Sequence, residues 1–269
     1  MTYRMHASHL NMACDCLAQF ELVHILGKRS KPGFALFCGD GAHGSSAKDL
    51  THKRDAGELL PLEEVQDTAR DTIMASYERS VDEVGGPRLI NDEQDAKGEK
   101  AILAETIDMG VALATLHHDK LAPVLVPDRI EHEWSLEVSN YPVSFAGKLD
   151  LQEKPTEIPG ILHDLKTVGA TPSGDPIDSS IQMTLYSLWS KQYDGYSPPL
   201  ALDYLVKLKT PKVKTFVGSK TARDYEAFFN RVAAIYETIL AGNFPPTNPS
   251  NYKCSRAYCG FFKNGCRHR

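Results

Sequence analysis

The amino-acid sequence predicts a mixed α/β protein in which helices flank a central mixed sheet. Three observations carry this expectation. Apolar residues recur at helical spacing through most of the chain up to about residue 122, the period shortens to two between Arg129 and Val168, and a strongly amphipathic stretch follows Ala222. At 269 residues the chain is long enough to bury a substantial core without disulfides. Its 42% hydrophobic and 24% charged residues are ordinary for a globular protein, so disorder is not the default.

The first element runs from Ser8 to Leu26, a single helix expected to be capped by Ser8 and stopped at Gly27. Residues 34–47 hold a glycine-rich stretch, GDGAHGSSA, expected to lead into a polar helix. The run LPLEEVQDTARDTIMASYERSVDEV is a long helix entered through Pro61 at its first turn. Gly85 to Gly98 reads as a polar loop, and AILAETIDMGVALATLHHDKLA as a helix closed by Pro123. A helical segment over about 45–122 thus precedes the sheet.

RIEHEWSLEV, YPVSFAGKLDLQE and GILHDLKTV alternate as strands, with KPTEIPG as a hairpin loop. DSSIQMTLYSLWSKQY is a helix with Asp178 or Ser179 as its cap. LALDYLVKLKT and VKTFVGS are a further strand pair, and ARDYEAFFNRVAAIYETILAG is a helix ended by Gly242. The expected organisation is one domain over 1–269, with a core at about 123–241 and an irregular tail at 242–269. No run of about 18 apolar residues could span a bilayer, and the first ten residues lack a signal-peptide core, so a cytoplasmic protein without a membrane partner is expected. The net charge of -5 means that any nucleic-acid contact must come from a local basic patch.

The chemistry concentrates in GKLD and HDLKT. Side chains alternate on a strand, so Asp164 and Lys166 project to one side and Leu165 to the other. Antiparallel pairing with the GKLD strand would bring Asp150 towards Asp164. Two close carboxylates repel unless a cation sits between them. Mg2+ or Mn2+ held by Asp150, Asp164 and the backbone carbonyl of Leu165 would keep water in its shell. One such water could attack a phosphodiester while Lys166 orients it or stabilises the developing charge. An isolated D-x-K is more often a surface salt bridge. Here it follows Gly-x-x-Asp by a hairpin-length gap and precedes a helix with Gln182 and Tyr186 at i, i+4.

In this order the motifs resemble the PD-(D/E)XK nucleases, specifically the RecB-like exonuclease branch that includes CRISPR-associated and many phage exonucleases. Ser8-His9-Leu10 with Cys16 and Phe20 is similar to the N-terminal helix of that branch, and Gly39-Asp40-Gly41-Ala42-His43 to the segment that supplies a metal-binding histidine. Glu131 sits where an acidic strand residue is expected. Asp150 matches the first catalytic carboxylate, Asp164 with Lys166 the (D/E)-x-K pair, and Gln182 with Tyr186 the Q-x-x-x-Y helix. The resemblance implies a restriction-endonuclease-like fold with a helical insertion, and a Mg2+- or Mn2+-dependent DNA exonuclease acting on ends or single strands. Recombination, repair or phage DNA processing is the implied setting, with a recombinase or helicase as partner in a prokaryotic or phage-infected cell. A subunit that keeps the fold to bind DNA or assemble, without catalysis, is the alternative.

Six cysteines cluster at the two ends: Cys14, Cys16 and Cys38, then Cys254, Cys259 and Cys266. In a reducing compartment, metal ligation is their better use. Three tail thiolates are too few for a four-ligand site. The resemblance implies Cys16 as the fourth ligand of a 4Fe-4S cluster with Cys254, Cys259 and Cys266, a clasp that would tie the chain ends together. The spacing of four and then six residues is looser than the two-residue gap of CRISPR-associated members, and zinc or unligated thiols remain alternatives. Cys14 competes with Cys16, and Cys38 is most simply a buried small hydrophobe.

Lys207, Lys209, Lys212 and Lys214 could track a phosphate backbone, or simply decorate a solvated strand edge. Arg256, Lys263, Arg267 and Arg269 add charge in the tail, with Tyr258, Phe261 and Phe262 as candidates for base stacking.

Overall fold

A computed structural model describes residues 3–138, 143–156, 160–263 and 265–266. The middle of the proposed hairpin loop (157–159), the start of its partner strand (Tyr141 and Pro142), Arg267 and Arg269 lie outside these.

The chain starts with a short strand that periodicity did not reveal, β1 (Tyr3–Met5). Instead of one helix from Ser8 to Leu26, it then forms α1 (Ala7–Asp15), α2 (Leu17–Phe20) and a π-helical turn at Glu21–Ile25. The break falls at Cys16, whose backbone is extended at φ −163° and ψ 107°. The tail supplies the reason. The Ala18 N–H donates to the Pro245 carbonyl at 3.2 Å, and the Thr247 N–H points at Cys16 Sγ at 3.5 Å.

The glycine-rich stretch lies inside a helix, α3 (Phe34–Ala56), rather than ahead of one. Each helical glycine costs about 1 kcal/mol relative to alanine. Close packing is the offset: a Cβ on Gly41 would stand 2.6 Å from Ile73 Cγ1 on α4 (Leu62–Val84). The expected loop after α4 contains α5 (Asp92–Lys97), where the Asn91 side chain accepts from the Gln94 N–H at 2.8 Å. With α6 (Glu99–Lys120), the helical segment begins at Phe34, earlier than its sequence pattern suggested.

The sheet comprises β1, β2 (Pro127–Glu137), β3 (Val143–Glu153), β4 (Leu162–Val168), β5 (Leu200–Val206) and β6 (Lys212–Gly218). Its order is β1-β3-β4-β5-β6, with β2 also pairing β3. The β1–β3 and β4–β5 pairs are parallel and the rest antiparallel, so the sheet is mixed. Between β4 and β5 run α7 (Pro176–Ser179) and α8 (Ile181–Tyr193), and α9 (Ala222–Leu240) follows β6. The cap of α8 is Ser180, not Asp178 or Ser179, because α7 uses those residues in a separate turn.

Two apolar layers sandwich the sheet. Phe145, Leu149, Leu162 and Leu202 pack with Met183, Tyr186, Phe228 and Val232 of α8 and α9. On the opposite face Leu151, Leu165 and Leu205 pack with Ala42, Leu50 and Leu113 of α3 and α6, where Cys38 is also buried. Each large apolar side chain so buried stabilises the fold by about 1.5–3 kcal/mol. Among the described residues no helix is long and apolar enough to cross a membrane.

Candidate active site

The site lies where β3 and β4 part. Strand β2 follows one edge of β3, so β1 and β4 must share the other: β1 takes Val143–Phe145, and β4 pairs only through Leu151 with His163 and Gln152 with Leu162. Among the described residues, the edge of β3 between those contacts has no strand partner. Its backbone and side chains find others. The Tyr186 hydroxyl donates to the Lys148 carbonyl at 2.9 Å, and the Leu165 N–H donates to Asp150 Oδ2 at 2.8 Å. A side-chain carboxylate thereby bridges the two diverging strands.

His43 on α3 reaches this point, with Nδ1 3.4 Å from Asp150 Oδ2. Glu131 reaches it from β2, where it sits opposite Asp150 between the Ile130–Leu151 and His132–Leu149 pairs. One ligand atom from each of His43, Glu131 and Asp150 lies within 4.8 Å of the other two. Glu131 holds a left-handed backbone, φ 48°, costly for a residue with a side chain and often found at functional positions. Its carboxylate is ion-paired with Lys148, the lysine of GKLD, whose placement the sequence reading did not single out.

Asp164 and Lys166 stand beside this trio. Lys166 Nζ is 2.7 Å from Asp164 Oδ2 and donates to Gln182 Oε1 at 3.0 Å, while Gln182 Nε2 donates to the Tyr186 hydroxyl at 2.8 Å. The chain from Lys166 through Gln182 and Tyr186 to Lys148 therefore ties β4 to α8 and β3. Asp164 is fully buried, and the Lys166 ammonium is the charge that balances its Oδ2.

Burial pushes Asp164 and Asp150 up to about 6 each, against the opposing pull of Lys166. Burial also lowers His43, more than the neighbouring carboxylates raise it, which favours the neutral imidazole that ligates metals. Burial disfavours the Lys166 ammonium too, but Asp164 and Asp150 outweigh it and hold that pKa above the ordinary lysine value. Three acidic side chains and a neutral imidazole are a donor set that fits a hard divalent cation.

A second buried group lies behind the site. His163 Nδ1 is 2.7 Å from Asp203 Oδ2, and Thr215 donates to Asp203 Oδ1 at 2.5 Å. Burial opposes the imidazolium, but Asp203 and then Glu153 raise His163 to about 9. A cavity of about 30 Å³ connects this pair to the front: its lining includes His43, Glu131, Asp150, His163 and Asp203. Sequence reading gave His163 no task, since nothing local marks Asp203 as its partner.

The other expected contacts divide. Lys209, Lys212 and Lys214 are exposed, and Lys207 is half-buried; β6, which carries Lys212 and Lys214, is an edge strand two places from β4. Lys214 covers the Phe216 ring at 5.3 Å. In the tail Arg256 is engaged by Asp95 at 2.6 Å, and Phe261 is buried, so it cannot offer a face to a base. Tyr258 is exposed.

Cys16, Cys254, Cys259 and Cys266 line one cavity of about 440 Å³. Cys14 is exposed and is not among the residues that line it. Burial raises the Cys259 thiol; the Phe261 N–H lowers it, and the other three cysteines raise it further. Among the described residues no three cysteine sulfurs lie within 4.8 Å of one another.

The arrangement is thus a carboxylate-rich centre at diverging strands, backed by a lysine and a Gln–Tyr helix. The sequence profile of the PD-(D/E)XK nuclease superfamily matches residues 4–267, and the chain belongs to that superfamily. Among solved structures, one described as a putative exonuclease from Eubacterium rectale aligns over 95% of this chain and 87% of that one, with a TM-score of 0.52. At 14% identity the likeness concerns the fold. A second, SSO0001, is 12% identical over 91% of each chain, with a TM-score of 0.35. Curated proteins give no sequence match.

Proposed function

We propose that the protein is a metal-dependent DNA exonuclease, hydrolysing phosphodiester bonds at DNA ends or in single strands during recombination, repair or phage DNA processing. The observation that carries this reading is the convergence of His43, Glu131 and Asp150 within 4.8 Å of one another, next to the Asp164–Lys166 pair. These three residues, with Asp164 and the Leu165 carbonyl, would hold Mg2+ or Mn2+. When bound, such a cation lowers the pKa of its water and offsets charge on the phosphoryl oxygens. Lys166, fixed by Asp164 and Gln182, presents an ammonium where charge develops on the substrate. Tyr186 and Gln182 act through it as positioning residues.

A non-catalytic DNA-binding subunit would have no reason to keep two buried carboxylates whose pKa values burial raises to about 6. Incubation with linear duplex and single-stranded DNA plus Mg2+ or Mn2+ tests the reading. Wild type should degrade DNA, and Asp150→Ala and Lys166→Ala should not. Failure of wild type to cut any DNA, or full activity in both variants, ends it.

The same reading includes a 4Fe-4S clasp held by Cys16, Cys254, Cys259 and Cys266, in one nuclease unit. Four thiols around about 440 Å³ support a multi-atom group. Tetrahedral zinc held by the same four thiolates is the alternative occupant. Iron content and broad visible absorbance in anaerobically purified protein are the expected result; zinc without iron overturns the cluster. A recombinase or helicase partner and a cytoplasmic site of action in a prokaryotic or phage-infected cell complete the proposal. Lys207, Lys209, Lys212 and Lys214 are secondary candidates for DNA contact.

A further inference from the structure

We infer that the cleft between α3, α4 and the loop Lys28-Arg29-Ser30-Lys31 seats the phosphate backbone of one nucleic-acid strand beside the metal centre. This rests on the nuclease reading above and adds a substrate subsite to it.

The cleft holds about 410 Å³, the scale of a small-molecule pocket, enough for part of one strand and too small for a duplex. Lys28, Arg29 and Arg79 line it. Arg29 is paired with Glu83 at 2.8 Å. Lys28 and Arg79 are exposed, and among the described residues neither side chain has a hydrogen-bond or ion-pair partner. The wall carries two acidic residues, Glu83 in the pair with Arg29 and Asp40, which accepts from the Ser76 hydroxyl at 2.7 Å. Two uncommitted cations therefore outnumber the one acid without a cationic partner, Asp40, and leave the cleft a net positive charge that phosphate complements.

A second observation also points to a ligand. Ser80, only 7% exposed, lines the cleft with a buried hydroxyl that finds no protein partner. Such a group calls for a water or ligand acceptor. Leu36 on the wall stays 55% exposed, giving apolar surface for a base while cations hold phosphates.

Continuity with the metal centre fixes the occupant. Asp40 lies one helical turn from His43 on α3, and its carboxylate is among the charges His43 feels. Gly39, beside it, packs against Thr167, the residue after Lys166. A strand lying in the cleft therefore leads to the reactive end of β4. The cysteine tail packs behind the loop, outside the cleft: a Cβ on Gly260 would meet Ser30 Cβ at 2.5 Å, and Arg88 donates to the carbonyls of Lys31 and Ala257, each at 3.2 Å. The cysteine tail thus holds the basic loop in place.

Fluorescence anisotropy with a labelled single-stranded oligonucleotide, on full-length protein carrying Asp164→Asn to prevent cleavage, tests the inference. Adding Lys28→Glu and Arg79→Glu should weaken binding at least tenfold and flatten the slope of log affinity against log salt by about 1.4, for two lost phosphate contacts. Lys28→Gln with Arg79→Gln should give a smaller loss in the same direction. In otherwise wild-type protein, hydrolysis of bis(p-nitrophenyl) phosphate with Mn2+ should stay within about twofold, because that small diester needs the metal centre alone. Unchanged strand affinity and slope overturn the inference, as does an equal loss for blunt duplex. The two readings fail separately: strand binding through the cleft without any hydrolysis by wild type removes the enzyme, and hydrolysis with an indifferent cleft removes the subsite.

Discussion

The carboxylate centre and the cysteine cavity are both ligand sets built from distant parts of the chain, yet they are constructed in opposite ways. At the first, adjacent strands and one packed helix bring His43, Glu131 and Asp150 within 4.8 Å of one another, next to a cavity of only about 30 Å³. At the second, four thiols from the two chain ends surround about 440 Å³. The sheet positions the first site before any ligand arrives, at the cost of burying carboxylates. In the proposed reading the second adds a bound 4Fe-4S cluster to the few protein contacts that join the chain ends, such as the Ala18 N–H to the Pro245 carbonyl. One should therefore lose activity without losing stability when altered, and the other should do the reverse.

The largest expected effect tests the first half of that contrast. Asp150→Asn should lower kcat by on the order of a thousandfold. In metal-free buffer at pH 7.5 the same variant should be more stable than wild type, by about 1–3 kcal/mol. The sign follows from Asp150 lying at about 6, above its ordinary 3.8: its ionisation opposes folding progressively as pH rises through that interval. Denaturant melts showing the variant to be less stable would break the comparison.

Cys259→Ser tests the other half. It should abolish visible absorbance and lower Tm by on the order of 10 °C, since several kcal/mol of ligand binding are lost. Hydrolysis of a small diester below the melting temperature should change by less than about threefold. Loss of activity with an unchanged Tm would show that the clasp serves catalysis directly.

The His163–Asp203 pair sits behind the front site and sharpens the contrast by adding stability there. His163 lies at about 9, above its ordinary 6.5, so its contribution is full below about 6.5 and is lost as pH rises through 9. Asp203 is held below its ordinary value, because hydrogen bonding to His163 overcomes the effect of burial, and its contribution fades as pH falls through the acid range. Wild type should lose about 2–3 kcal/mol between pH 6.5 and 9.5, and His163→Gln should show little of that slope in urea melts. The smallest effect is at Tyr186→Phe, which leaves the Lys148 carbonyl without its donor. A loss of about 1–2 kcal/mol and about tenfold in kcat is expected, with KM nearly constant.

Much of this was legible in the sequence where the signal is local. The strand period around Asp150, Asp164 and Lys166 and the four-residue spacing of Gln182 and Tyr186 follow from side-chain geometry within one element. The three-residue β1 was not legible, because so short a strand shows no period. Nor was the helical state of GDGAHG, where propensity opposes helix and packing against Ile73 prevails.

The sequence by itself determined which residues could carry chemistry and on which side of a strand or helix they lie. Only the tertiary structure decided which of them meet. The parting of β3 from β4 frees the edge that Tyr186 and Asp150 use, the reversed backbone of Glu131 completes the trio, and contacts with the tail break the first helix at Cys16. These depend on contacts between residues far apart in the chain, about which the pattern inside any single element carries no information.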